Sequence, residues 1–511
     1  MLKKRSVAIT VALFVAILCC ALAPSFKAEA RKPSLKETKI TLKVGETYKL
    51  ELGNVPAKSK VKYKTKDSSI VSISSKGELK AVSQGNATVK AVVIKKNGKK
   101  VKLSCKVTVS GQEEHKPTVS PLFKGNKNAA ISKGFSDQAT DFSVSLFKAN
   151  AADSLNSGDN YLVSPLSVLT DMMMAANGAD GSTLKELESV MCGSQSFEKF
   201  RDELSDNNAK LIWSDKVIFN MANSVWIKDD PDRFTMNDDF LKSSEVYFNA
   251  ESFVLPFDST MVGKVNSWVN KNTRGMIPEL MNKPPEKDDV IHLINAIAFD
   301  AEWADQYADH QVSEGQIFTD ANKKEKKVTM LSDKLGSYLS DDKAMGFTRE
   351  YKGGEFSFVA ILPDEGVSVS DYVNSMTGSS FRAFMASRKS GYDVYTKLPE
   401  FEFDYSTELS DSLQKMGINR AFRTDADFSK MATVREGGLC IGKVVHKTHI
   451  ELDRKGTKAA AVTDIGVTNT TSVEPRDRKT VYIYLDRPFI CAIVQNETGI
   501  PIFMGVVDTV K

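Results

Sequence analysis

Histidine is scarce in this chain of 511 residues, which contains only His115, His292, His310, His446 and His449. Residues three apart in an extended strand point to opposite faces, so His446 and His449 make a poor metal-binding pair. The sequence also lacks the Gly-x-Ser-x-Gly, His-Glu-x-x-His and phosphate-binding glycine patterns of common enzymes. It therefore predicts a protein that is not an enzyme and that holds no metal or cofactor.

Cysteine is almost as sparse, with six residues in the whole chain. Two of them lie in an apolar run near the N-terminus, and the other four are far apart: Cys105, Cys192, Cys440 and Cys491. A disulfide framework or a zinc site would show closer spacing. We therefore expect these four residues to be buried free thiols.

Long apolar runs are missing except at the N-terminus. Three basic residues at positions 3–5 precede an apolar run over 7–23, and Ala28-Glu29-Ala30 supplies small residues for cleavage. This pattern predicts a signal peptide over 1–30 and a secreted protein, extracellular or associated with the cell surface. A retained membrane anchor stays open as the alternative.

The net charge is only +4, but it is divided unevenly along the chain. Residues 31–110 carry a net charge of +15, whereas residues 111–511 carry −14. Such asymmetry indicates two modules with different partners. We predict one module over 31–110, a polar linker over 111–134 and a second module over 135–511.

The first module consists of short segments of alternating polarity separated by Gly and Asn-Gly turns. Six or seven strands at this spacing predict an all-β sandwich. The order of segments 67–73, 77–82 and 85–89 resembles the group 2 bacterial immunoglobulin-like domain. Its lysine-rich face is either simply solvated or attracts an anionic cell-wall polymer or glycan. Nucleic acid is disfavoured as a partner because no platform of aromatic residues accompanies the lysines.

The most informative segment of the second module is 451–471, where small and polar residues alternate. One face of this segment carries Lys458, Asp464 and Thr468. The segment has the period of a strand but lacks large core anchors, so it can lie either inside or outside a sheet. The residues of the other face, at every second position of the segment, are all small or apolar: Thr457, Ala459, Ala461, Thr463, Ile465 and Val467.

This segment resembles the hinge and reactive loop of serpins, protease inhibitors whose loop inserts into their own central sheet. The resemblance implies an α+β serpin fold over 135–511, with a large central sheet and a mobile reactive loop. Further motifs follow in the order of the family at 161–168, 177–183, 221–227, 266–270, 273–277, 292–299, 425–431, 487–489 and 503–505.

The resemblance also implies the site residues of the loop. The reactive bond is expected between Thr470 and Thr471, fourteen residues beyond Gly456, with Thr468 and Asn469 as neighbours. Small side chains there suit an elastase-like or subtilisin-like serine protease; a cysteine protease stays open. The implied hinge is Gly456, Thr457, Lys458, Ala459, Ala460, Ala461, Val462 and Thr463.

By the same resemblance, a polar cluster should lie beneath the point where the sheet opens, and Trp303 should pack where insertion begins. The expected members of the cluster are Ser164, Ser167, Asn295 and His446. The implied activity is suicide inhibition by a monomer, in which a serine protease is trapped as its acyl-enzyme. Two alternatives remain: a non-inhibitory binding protein of the serpin fold, and a surface adhesin that acts through the basic module.

Overall fold

The computed structural model describes residues 32–43, 46–68, 70–82, 85–110, 119–214, 217–435, 437–457 and 478–510. The chain divides into two compact units, Met1–Glu113 and Glu114–Lys511. The predicted signal peptide lies outside the described residues. No helix among those that the structure describes is long and apolar enough to cross a membrane.

The first unit is an all-β sandwich, which confirms the predicted fold class of this module. Its two larger sheets have the strand orders β2-β9-β8-β5 and β3-β7-β6, and β1 pairs with β4. The strands are β1 (Ser34–Leu35), β2 (Lys39–Lys43), β3 (Thr47–Lys49), β4 (Leu52–Gly53), β5 (Lys60–Thr65), β6 (Val71–Ile73), β7 (Glu78–Ala81), β8 (Gly85–Ile94) and β9 (Lys100–Ser110).

Alternation of side chains along the strands builds the core of this unit. In β8, Ala87, Val89, Ala91 and Val93 are buried at every second position. Successive side chains of a strand point to opposite faces, so this period places one apolar face inward and leaves the polar face in water. The lysines that dominate the charge of the module lie largely on the outer faces.

Nine α-helices lie within the described part of the second unit. Local sequence sets their starts: Ser132 caps α1 by accepting a hydrogen bond from the amide of Phe135 (3.1 Å), and Pro165 is the first residue of α2. The helices are α1 (Lys133–Ser157), α2 (Pro165–Ala176), α3 (Gly181–Met191), α4 (Phe197–Ile212), α5 (Asp238–Phe248), α6 (Ser259–Asn272), α7 (Val369–Ser375), α8 (Gly378–Ala386) and α9 (Ser410–Lys415).

The strands of the second unit form two large sheets, which confirms the predicted α+β fold. A six-stranded sheet has the order β13-β11-β14-β23-β22-β20, and a nine-stranded sheet runs β10-β26-β25-β18-β17-β16-β19-β24 with β15 paired to β16; β12 and β21 form a separate pair. Helix α6 covers one face of the six-stranded sheet, and α2 packs close to β14.

The bounds of these strands are β10 (Tyr161–Val163), β11 (Ile218–Lys228), β12 (Phe234–Met236), β13 (Ala250–Leu255), β14 (Ile291–Glu302), β15 (Val312–Thr319), β16 (Glu325–Ser340), β17 (Ala344–Glu350), β18 (Phe356–Pro363), β19 (Lys389–Pro399), β20 (Phe401–Glu408), β21 (Ala432–Val434), β22 (Val445–Leu452), β23 (Gly456–Thr457), β24 (Thr480–Tyr484), β25 (Phe489–Gln495) and β26 (Pro501–Val507).

The sequence predicts a linker over 111–134. Its residues from Val119 onward lie against the helices of the second unit. The amide of Ser120 donates to Oδ1 of Asn249 (2.7 Å), and the amide of Asn126 donates to the Asp206 carboxylate (2.8 Å). A side chain at the end of α5 and one in the middle of α4 thus satisfy backbone groups that a free linker would leave to water. Residues 111–118 lie outside the described part of the chain.

The four cysteines are free thiols in the structure. Burial of three of them confirms the prediction for Cys105, Cys192 and Cys491, while Cys440 is half-buried. Burial raises the pKa of Cys192 and Cys491 to about 12, so these thiols are inert at neutral pH.

Candidate functional site

The candidate site is the line between β14 and β22 in the six-stranded sheet. The two residues of β23 lie between these strands, with Thr457 opposite both Ala301 of β14 and Leu452 of β22. On their other sides β14 pairs with β11 and β22 pairs with β20. Over the rest of their length, no ladder joins β14 to β22 among the described residues. The sheet therefore has an inner line along which a strand could add.

Close approach of two backbones explains the glycine at the start of β23. A Cβ atom added to Gly456 would lie only 2.0 Å from the carbonyl oxygen of Ala301 and 2.8 Å from the Cα atom of Glu302. Both are backbone atoms that cannot move aside cheaply. Only glycine therefore fits at the position where the predicted hinge enters the sheet.

Trp303, which the resemblance places where insertion begins, lies beside β23. Its ring is stacked on Tyr351 at 4.6 Å between centroids, and its indole N–H donates to the carbonyl of Asp453 (2.9 Å). The hydroxyl groups of Tyr351 and Thr457 are 2.5 Å apart. Burial raises the pKa of Tyr351, so its phenol stays neutral and serves as a hydrogen-bonding group.

The sequence analysis missed Tyr351 and its neighbour Arg349. The guanidinium of Arg349 lies 5.6 Å from the Trp303 ring and 3.9 Å from the Tyr307 ring, and it is paired with Asp333. These cation–π contacts hold the aromatic group in one position. No sequence pattern marks these residues, because they meet Trp303 only through the pairing of distant strands.

His446 and Ser164 form one half of the predicted polar cluster. The backbone N–H of Ser164 donates to Nε2 of His446 (3.0 Å), and the Ser164 hydroxyl donates to the carbonyl of Ile502 (2.9 Å). Burial lowers the pKa of His446 to about 4, because the charged imidazolium would lose its hydration. The ring is therefore neutral at physiological pH, which Nε2 requires to accept a hydrogen bond.

Ser167 and Asn295 form the other half. The Ser167 hydroxyl donates to Oδ1 of Asn295, whose amide N–H donates to Oδ1 of Asn223 (2.6 Å). Asn223, opposite Asn295 in the ladder of β11 and β14, donates in turn to the carbonyl of Phe248 (2.5 Å). The described hydrogen bonds thus join the four predicted residues as two pairs. Sequence reasoning missed Asn223, although a buried amide in an apolar strand is a usable signal.

A cavity of about 420 Å³ lies at the other end of the line, between the first residues of β14 and β22. Asp171 of α2 lines this cavity, and its Oδ1 atom is buried without a described hydrogen-bond partner. Burial raises the pKa of Asp171 to about 8, opposed by a hydrogen bond from the backbone of Asn295. The carboxyl group is therefore mostly protonated at neutral pH. The only sequence signal is an acidic residue within a methionine-rich apolar helix.

Most of the predicted loop lies outside the described residues, which stop at Thr457 and resume at Arg478. This holds for the rest of the hinge, for the predicted reactive bond and for its neighbours: Lys458, Ala459, Ala460, Ala461, Val462, Thr463, Thr468, Asn469, Thr470 and Thr471.

Comparison with known proteins assigns each unit to a family model. The model described as Serpin (serine protease inhibitor) matches residues 137–509, and the one described as Bacterial Ig-like domain (group 2) matches residues 31–120. An "Uncharacterized serpin-like protein" of Methanosarcina acetivorans is 27% identical over 357 residues, covering 68% of this chain and 82% of that protein.

Solved structures show the same likeness. The native state of the thermophilic serpin Tengpin is 38% identical, with a TM-score of 0.69, and the match covers 76% of this chain and 97% of that one. Thyroxine-binding globulin in complex with thyroxine gives a TM-score of 0.63 at 21% identity, with 74% and 99% of the two chains covered. The second likeness shows the fold alone.

Proposed function

The chain belongs to the serpin family, whose members are generally protease inhibitors rather than catalysts, and we propose that it is a secreted suicide inhibitor of serine proteases. A single observation carries the proposal: the strand β23 is already paired with both β14 and β22. Because β23 is already paired, the register of the strand is fixed before the rest of the loop is inserted into the sheet.

The register of β23 specifies where the following residues would lie if the loop extended the strand. Each step of two residues along the loop moves two residues back along β14 and β22, which are antiparallel to it. Ala459 would then lie between Phe299 and Ile450, and Thr463 would lie between Asn295 and His446. The face of the loop that carries small side chains would thus point toward the core. On that face, the hydroxyl group of Thr463 would meet the polar cluster.

In the proposed mechanism, the target protease attacks the loop and forms an acyl-enzyme with it. The freed loop then inserts before water can hydrolyse the ester. Insertion of about 14 residues at roughly 3.3 Å each carries the attached protease about 45 Å. Ladder hydrogen bonds and apolar burial supply on the order of 10–20 kcal/mol, which suffices to distort the oxyanion hole of the protease.

We further propose that the attacked bond is Thr470–Thr471. Its small side chains suit elastase-like or subtilisin-like enzymes. Arg476, Arg478 and Lys479 would attract trypsin-like proteases, but cleavage there would leave an overlong strand. Of these, the structure describes Arg478 and Lys479, directly before β24. The protein is proposed to act as a monomer outside the cell, and its basic immunoglobulin-like unit is proposed to bind an anionic polymer.

The test is incubation of the whole protein with an elastase or subtilisin, followed by denaturing electrophoresis. We expect a stable adduct with the mass of both proteins. Ala459→Arg should give clean cleavage without adduct, because a charge would enter the closed sheet unpaired. Lys458→Arg, a matched control on the opposite face of the loop, should trap normally. Cleavage of the natural protein without adduct would favour the non-inhibitory alternative.

A further inference from the structure

A cluster of ionisable residues lies on the outward face of β20 and β22, the two strands at one side of the sheet. Glu402 of β20 is opposite Glu451 of β22, and Asp404 is opposite His449. Like charges directly opposite each other in a ladder destabilise it. The two glutamates in register therefore concentrate negative charge at one place on this ladder.

His449 is held in one orientation by its partner across the ladder. Its Nδ1 atom lies 2.9 Å from Oδ1 of Asp404, and only 10% of its side chain is exposed. Its Nε2 atom is buried and has no hydrogen-bond partner among the described residues. An imidazole that donates through Nδ1 to a carboxylate presents the lone pair of Nε2, the usual arrangement of a metal-bound histidine.

A ring nitrogen of His449 and one carboxylate oxygen each of Glu402 and Glu451 lie within 4.8 Å of one another. We propose that these three residues bind a divalent transition metal ion, most suitably Zn²⁺, with Asp404 orienting the imidazole. One imidazole and two carboxylates form a zinc ligand set that leaves the fourth position to water. Tetrahedral ligands at about 2.1 Å are roughly 3.4 Å apart, so the ligand atoms need to approach one another by at most about 1.4 Å.

This site differs from the histidine pair that the sequence analysis rejected. His446 faces the core and accepts a hydrogen bond from Ser164, whereas His449 lies on the opposite face of β22. Glu451 lies two residues from His449 on β22, whereas Glu402 and Asp404 come from β20, more than 40 residues earlier in the chain.

The test is titration of the metal-free, full-length protein with Zn²⁺ by calorimetry. We expect one equivalent to bind to this site. His449→Ala and Glu402→Gln should each weaken that binding at least about tenfold, and Asp404→Asn should weaken it about 10- to 100-fold through the lost orientation of the ring. Glu402 is exposed, so its substitution should leave the fold intact.

The matched control is His310→Ala, because His310 is an exposed histidine on the same unit outside this cluster. It should bind Zn²⁺ as the unchanged protein does. Failure of the unchanged protein to bind Zn²⁺, or equal binding by the His449→Ala and Glu402→Gln variants, would overturn the proposal. Preferential binding of Ca²⁺ would also overturn the assignment to a transition metal, because Ca²⁺ prefers oxygen ligands.

Discussion

At the scale of single residues, buried His446 and half-buried Asp171 lie beside the line between β14 and β22, and their pKa values are shifted in opposite directions. Burial lowers the pKa of His446 to about 4 and raises that of Asp171 to about 8. Both shifts favour the neutral form, since the interior cannot hydrate a charge. The polar groups that the inserting loop would meet are therefore uncharged at neutral pH.

The shifted pKa of His446 predicts acid sensitivity. The unfolded chain takes up a proton near pH 6.5, whereas the folded one does so only near pH 4. The free energy of unfolding is therefore at its full value above pH 6.5. It decreases by on the order of 3 kcal/mol as the pH falls to about 4. His446→Gln can still accept from Ser164 but cannot become charged. Its urea midpoint should fall less between pH 7 and pH 4.5.

The control for this prediction is His310→Gln, which changes an exposed histidine. That variant should lose stability between the two pH values as the unchanged protein does. An equal loss in His446→Gln would contradict the account of His446 as a buried neutral base.

At the scale of elements, β23 determines how the site is built. Alternation of small residues predicts a strand from Thr457, and the structure describes only its start, β23 (Gly456–Thr457). The positions of Asn223, Tyr351 and Asp171 could not be predicted, because each depends on the register or packing of elements far apart in the chain. The same reason explains why Ser164, Ser167, Asn295 and His446 appear as two hydrogen-bonded pairs.

The close approach at β23 predicts the effect of adding one methyl group. Gly456→Ala would place Cβ 2.0 Å from the Ala301 carbonyl oxygen, far inside van der Waals contact, so β23 must move out of its register. We expect the yield of protease adduct to fall at least about tenfold and cleavage without trapping to rise, at a cost to stability of about 1–3 kcal/mol. Densitometry of denaturing gels measures the ratio of adduct to cleaved product.

Gly336→Ala in β16 is the matched control, because a Cβ atom there meets no other atom within 4 Å. It should trap as well as the unchanged protein. Equal trapping by both variants would show that the pairing of Gly456 is unnecessary for insertion.

At the scale of the whole molecule, two units of opposite charge are joined in one chain, and the proposed activities are divided between them. The basic immunoglobulin-like unit has a core of its own, and the serpin unit contains the site. Composition and motif order sufficed to predict both folds, since each depends on patterns that recur along the chain. The proposed metal-binding cluster on β20 and β22 could not be predicted, since only folding brings Glu402 close to His449.

The most direct test of the account is the heat resistance of the molecule before and after a single cleavage at Thr470–Thr471. If insertion of the loop completes the sheet, a gain on the order of 10–20 kcal/mol should raise the unfolding temperature of the serpin unit by at least about 10 °C. Scanning calorimetry of intact and cleaved protein measures this shift. An unfolding temperature that cleavage leaves unchanged would contradict the proposed insertion.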